Sequence, residues 1–240
     1  AAEVWLPNLA LTHTVSPSSV EGGNTVTYTL TATNTAAASA TNGYDWAIFG
    51  TVPAILNTPA LVSAVLSRGS LDISACAGFT GNALSIDGSC LAGGDQGASH
   101  YLAPGESISV VYTATVDASV GFEQTIANTM DVSITSLSGS NGIAAPGNAG
   151  SDTGERIGDN SSNDSAQAVN DMVIMATANL TSNAPTLTLS ASTAQSTILD
   201  SLTLTASFAI PVGSTDNFVY TLDLPTGLSY QNGAIVITLP

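Results

Sequence analysis

Lysine is absent from the 240 residues, and arginine occurs twice, at Arg68 and Arg156. Charged residues make up 8% of the chain, against about 25% in an ordinary globular protein. Eighteen of them are Asp or Glu, and the net charge is −16. Nucleic-acid binding needs cations to displace phosphate counterions, so that class is excluded. Docking on an anionic membrane surface fails for the same reason. Without lysine there is no Schiff-base nucleophile and no phosphate-binding loop of the P-loop kind. Long apolar runs are also missing. The best stretch, residues 52–66, is interrupted by Pro53, Asn57 and Pro59, short of the ~20 residues of a spanning helix, so no membrane insertion is expected.

What is present is a folding composition. Hydrophobic residues reach 44% and the mean hydropathy is +0.30, which argues against disorder. Serine and threonine number thirty each. Threonine favours strands, and serine favours turns and edges. Together with the acidity, which keeps a chain soluble, this composition points to a secreted or cell-surface β-protein. The opening Ala1-Ala2-Glu3 has no Met and no apolar signal core. It reads equally as a mature terminus or as an internal cut.

Period-two alternation is the dominant pattern. In residues 25–33 threonine takes the odd positions, while Val26, Tyr28, Leu30 and Ala32 take the even ones. That predicts a half-buried strand with those four residues facing a core. Residues 9–15 alternate as well. After the turn at Pro104-Gly105-Glu106, so do Ile108, Val110, Tyr112, Ala114 and Val116. Residues 125–136 and 166–175 read as further strands. No segment has a helical period with cap and stop signals; residues 54–66 come nearest, with Pro59 inside. The fold class is therefore all-β, a β-sandwich or barrel.

The chain also repeats itself. Residues 11–26 align with residues 187–202 without a gap at an offset of 176, pairing Leu11 with Leu187, Ser16 with Ser192 and Val26 with Leu202. The expected organisation is an N-terminal segment (1–6), a first unit (7–182) and a second, partial unit (183–240). The second unit holds only the opening strands of a sandwich. Its apolar stretches at 201–210 and 234–239 would otherwise face water, an aggregation hazard. They call either for further chain or for a neighbouring subunit. The spare residues Val4, Trp5 and Leu6 are the candidates for adding to a neighbour's sheet.

Residues 138–164 form the longest irregular stretch. Asp152, Glu155, Asp159, Asn160, Asn163 and Asp164 crowd into thirteen positions. Dense oxygen ligands suit Ca²⁺, although the spacing is not that of an EF-hand. The alternative is a solvated acidic loop in which Arg156 pairs with one carboxylate. Cys76 and Cys90 flank a glycine-containing stretch able to turn back. In an extracellular protein they read as a disulfide. Two reduced buried thiols are the alternative, and two cysteines alone make a poor zinc site.

Several segments carry a resemblance. The run Pro7-Asn8-Leu9-Ala10-Leu11-Thr12-His13-Thr14-Val15-Ser16-Pro17, followed by Gly22-Gly23-Asn24-Thr25-Val26-Thr27-Tyr28, resembles the opening of conserved-repeat domains of bacterial and archaeal surface proteins, related to fimbrial isopeptide-type repeats. Leu102-Ala103-Pro104-Gly105-Glu106-Ser107 resembles their mid-domain turn, and Asn128-Thr129-Met130-Asp131-Val132 their penultimate strand. Gly154-Glu155-Arg156-Ile157-Gly158 and Leu224-Pro225-Thr226-Gly227-Leu228-Ser229-Tyr230 resemble later motifs. The resemblance implies immunoglobulin-like β-sandwiches strung as stalks of adhesins, fimbriae or matrix proteins. It also implies a departure: the isopeptide crosslink of such domains needs a lysine amine, and this chain has none.

Enzyme chemistry finds little support. His13 and His100 are the only histidines, far apart, and both are expected at the surface. No G-x-S-x-G elbow surrounds a serine. Trp5, Tyr44, Trp46, Phe49 and Tyr101 would suit a sugar platform, but Trp46 alternates with Tyr44 and Ile48, a core pattern. Asn160, Asn163 and Asn179 begin N-x-S/T sequons, which recur by chance in so Ser/Thr-rich a chain. The expected function is a non-catalytic structural subunit of an extracellular fibre or adhesin stalk, contacting copies of itself or tandem repeats end to end. The alternative is a recognition module binding a glycan or host surface.

Overall fold

The structure is a computed structural model that describes residues 6–37, 40–92, 99–136, 172–215, 217–231 and 235–236. The strands in chain order are β1 (Leu9–Ser16), β2 (Ser19–Val20), β3 (Thr25–Asn34), β4 (Gly43–Thr51), β5 (Leu56–Leu66), β6 (Leu71–Asp72), β7 (Ala77–Thr80), β8 (Ala83–Ile86), β9 (Tyr101–Leu102), β10 (Ser107–Val116), β11 (Thr125–Thr135), β12 (Val173–Ser182), β13 (Thr186–Ala191) and β14 (Leu204–Ala209).

Two sheets face each other in the first unit. One has the order β1-β3-β10-β5-β6 and the other β2-β12-β11-β4-β8-β7, with β9 also on β4. With β1, β3, β10 and β5 as A, B, E and D, and β12, β11 and β4 as G, F and C, this is the strand order of an immunoglobulin-like sandwich. The β7–β8 hairpin follows strand D in sequence and extends the edge of strand C.

The alternation of the sequence becomes the core. Val26, Tyr28, Leu30 and Ala32 of β3 are fully buried, and Ile108, Val110, Tyr112, Ala114 and Val116 of β10 lie beside them. Trp46 and Ile48 of β4, Met130 and Val132 of β11, and Leu180 of β12 cover them from the opposite sheet. The intervening threonines of β3 face outward because successive side chains of a strand point to opposite faces.

Three local expectations change. Residues 54–66 hold strand β5 despite Pro59. The register against β10 breaks twice, and Pro59 and Thr58 (φ +47°) stand in the second break. A residue without an N–H is tolerated in a strand at such an irregularity. The last strand of the first unit begins at Val173 and runs to Ser182, later than the predicted 166–175. Residues 166–171 lie outside the described residues. Tyr44 is only half-buried and lies 6.1 Å, ring to ring, from Tyr101. Asp45, at φ +45°, lies within β4 where its register against β11 shifts between Tyr44 and Ala47.

Cys76 and Cys90 form a disulfide with a Cα–Cα distance of 5.0 Å, within the usual range. The bridge closes the segment containing β7 and β8. The two corner carbonyls of Thr41 and Leu102 are held by the buried Asn34 amide, each at 2.7 Å, and its side-chain oxygen accepts the N–H of Asn8 at 3.0 Å. One side chain thus ties together the start of β1, the end of β3, the approach to β4, and β9.

Candidate assembly surface

Both histidines are buried, contrary to the expectation of surface positions. His13 is 7% exposed, and its Nε2 is 2.9 Å from the Tyr112 hydroxyl. Asn128 Nδ2 donates to the same hydroxyl at 2.8 Å, and the Tyr28 and Tyr112 rings stack at 5.1 Å. Burial pushes the His13 pKa down, partly offset by the backbone of Ala176 and Asn128. Burial pushes the Tyr28 phenol up to about 12 and the Tyr112 phenol higher still. The signal for His13 was in the parity of the strand: Leu9, Leu11 and Val15 point the same way.

His100 is fully buried, edge-on to the Trp46 ring, with Nε2 2.9 Å from the Trp46 carbonyl oxygen and Nδ1 3.7 Å from Asp45 Oδ1. Gly88 makes room for the ring, since a Cβ there would lie 2.4 Å from it. Nothing local in the sequence signals this pocket, because Trp46 comes from β4 and Gly88 from the bend after β8. Of the sugar-platform aromatics, Trp46 is core, and the Tyr101 ring is covered by the Arg68 guanidinium at 3.8 Å. Arg68 is also 3.1 Å from Glu106, so this cation is committed within the fold. Asn179 is exposed on β12.

The predicted metal ligands Asp152, Glu155, Asp159, Asn160, Asn163 and Asp164 lie outside the described residues, as do Val4 and Trp5. Leu6 is described. It bridges to Ala40 of its own chain, and its carbonyl accepts the Thr41 N–H at 3.3 Å.

The most informative surface lies in the second unit. In the first unit Leu11 pairs with Ala32 and Val15 with Tyr28. Shifted by 176, these become Leu187 with Phe208 and Ala191 with Leu204, and both pairs occur in the β13–β14 ladder. The sequence repeat is therefore also a repeat of hydrogen-bond register. A one-residue slip would invert every side chain, so this agreement is specific.

The surroundings of the two hairpins differ. On β3 the far edge is occupied by β10, with Ile108 opposite Ala32, Val110 opposite Leu30 and Tyr112 opposite Tyr28. Among the described residues β14 has β13 as its only partner. Leu202, Leu204, Ala206 and Phe208 correspond to the fully buried Val26, Tyr28, Leu30 and Ala32, yet each is only partly buried. Leu187 and Leu189 are about half-exposed too. Phe218 and Tyr220 meet Phe208 edge-on at 5.3 and 5.0 Å, giving this face partial cover. Within the described part of residues 183–231 the only charged side chains are Asp200 and Asp223. What the first unit buries between two sheets, the second presents to its surroundings.

No protein-family model and no curated protein matches the chain. Among solved structures it is similar to the Corynebacterium diphtheriae major pilin SpaA, at 18% identity and a TM-score of 0.36, over 52% of this chain and 32% of that one. It is similar to the Bacillus cereus major pilin BcpA at 7% identity and 0.39, over 76% and 42%. Against the Actinomyces fimbrial adhesin FimA the values are 14% and 0.39, over 76% and 58%. The matches span less than two thirds of those longer chains, and at these scores the likeness carries no functional weight.

Proposed function

We propose that this chain is a non-catalytic structural element of an extracellular fibre or adhesin stalk, in which immunoglobulin-like units follow one another end to end. The observation that carries the reading is the β13–β14 hairpin, which repeats the β1–β3 register while, among the described residues, its core face is only partly covered and the far edge of β14 has no partner strand. The geometry of the first unit supplies the form of the missing contact. A strand laid antiparallel on β14, as β10 lies on β3, sets its apolar residues opposite Phe208, Ala206 and Leu204. Such addition draws affinity from main-chain hydrogen bonds and register from side-chain pockets. A head-to-tail contact of this kind does not close on itself and generates an open filament. The disulfide and the lysine-free acidic composition support an extracellular site.

The N-terminal segment is the proposed donor. Val4 and Trp5 supply apolar anchors, and Leu6 is held to its own unit by a single bridge. Sedimentation velocity tests this directly. The full chain should form a concentration-dependent series of large species. Deleting residues 1–6 should leave a monomer whose first sandwich is folded by circular dichroism. A deletion variant that assembles as well as the full chain would overturn the donor assignment, and a full chain that stays monomeric would overturn end-to-end assembly.

A further inference from the structure

The chain leaves the first sandwich at Ser182, and the second unit returns to it at residues 211–214. The departure is tightly held. The Ser182 N–H donates to the Gln124 carbonyl at 3.0 Å, and its hydroxyl accepts the Gln124 N–H at 2.8 Å. That hydroxyl also donates to the Gly121 carbonyl. The Asn183 N–H donates to the Val20 carbonyl at 2.6 Å, and the Asn183 side-chain oxygen accepts the Ser19 hydroxyl at 2.6 Å.

The return is a second, separate attachment. The Gly22 N–H donates to the Val212 carbonyl at 2.7 Å, and the Val212 N–H donates to the Glu21 carboxylate at 2.9 Å. The Ser214 N–H donates to the Val120 carbonyl at 2.7 Å, and its hydroxyl donates to the Ser119 carbonyl. Two glycines permit this closeness. A Cβ on Gly213 would lie 2.8 Å from both the Val120 oxygen and the Phe122 ring, and a Cβ on Gly22 would lie 2.8 Å from the Ala118 Cα. The receiving loop is itself held in an uncommon shape. Glu123 sits at φ +55°, and the Gln124 side chain accepts the Gly121 N–H at 2.9 Å. A non-glycine residue persists in that region only where its surroundings over-determine it.

We propose that residues 211–214 are a clamp that joins the second unit to the first at a second point and makes the two units one stiff body. A single covalent linker leaves neighbouring units free to reorient, which is the default for domains with small interfaces. Two attachments on separate stretches of chain remove that freedom. A stalk built this way transmits tension without bending at the joint. The clamp goes beyond the fibre reading and stands whether or not the chain polymerises.

The test is ¹⁵N relaxation on the 240-residue chain, at a concentration where sedimentation velocity shows a monomer. Amides of β1–β12 and of β13–β14 should fit one rotational diffusion tensor. Gly213→Val, which drives a side chain into Val120 and Phe122, should abolish the common tensor and give β13–β14 faster motion of its own. Where that variant yields random-coil shifts for β13–β14, the Glu21→Ala/Ser214→Ala double variant carries the test. It removes two clamp bonds without adding bulk, and should likewise abolish the common tensor while leaving the β1–β12 shifts in place. Two tensors in the unaltered chain, or one tensor retained in the variant that carries the test, would overturn the clamp.

Discussion

Asn34 offers the sharpest test of how the first sandwich is held. The side chain is fully buried, donates twice at 2.7 Å to backbone carbonyls and accepts once at 3.0 Å. Asn34→Ala removes all three bonds. At about 0.5–1.5 kcal/mol net per bond the expected loss is about 1.5–4.5 kcal/mol. Asn34→Asp keeps the size and the acceptor but turns a carboxylate toward two carbonyl oxygens. An uncompensated buried charge costs several kcal/mol, so at pH 7 aspartate should be worse than alanine. The native aspartate pKa is then raised above the unfolded value of about 3.9. The excess penalty is full above the native pKa and vanishes below the unfolded one. Urea unfolding followed by the fluorescence of the buried Trp46, at pH 7 and again near pH 4, measures both variants. Aspartate at least as stable as alanine at pH 7, or a gap between them that does not narrow in acid, would refute the reasoning.

Three further outcomes are expected. The lowered His13 pKa means that the native state resists protonation, so stability should fall as pH drops through the unfolded value of about 6.5 and level off below the native one; His13→Gln should flatten that part of a stability–pH profile, and an unchanged profile would count against it. Replacing both Cys76 and Cys90 with alanine should cost about 3 kcal/mol, or about 6–12 °C of melting temperature by calorimetry; an unaltered melt would mean the bridge constrains nothing. If the acidic ligands of residues 152–164 bind Ca²⁺, excess chelator should lower the melting temperature by mass action, and identical melts with and without chelator would leave the solvated loop.

Much of the fold was legible because it rests on parity. The even positions of residues 26–32 and 108–116 became the core of one sheet, and the 176-residue offset foretold a pairing register as well as a likeness of sequence. What stayed hidden depends on distant partners. The pocket of His100 needs Trp46 and Gly88 from elsewhere in the chain. The strand through Pro59 needs a bulge that only the pairing with β10 reveals. His13 was misplaced although its parity matched Leu11 and Val15, because a polar residue in a strand is ordinarily put outside. The partly exposed apolar residues of β14 fall at the positions that the 176-residue offset matches to the core residues of β3. The clamp at residues 211–214 was not foreseen, since backbone hydrogen bonds between units leave no pattern of residue type.

Cryo-electron microscopy of the purified chain tests the central claim most directly. The account predicts filaments of immunoglobulin-like units in which a strand from a neighbouring copy lies antiparallel along β14, with apolar residues facing Leu204, Ala206 and Phe208. Monomeric particles at every concentration, or filaments in which that edge of β14 is bare, would contradict it.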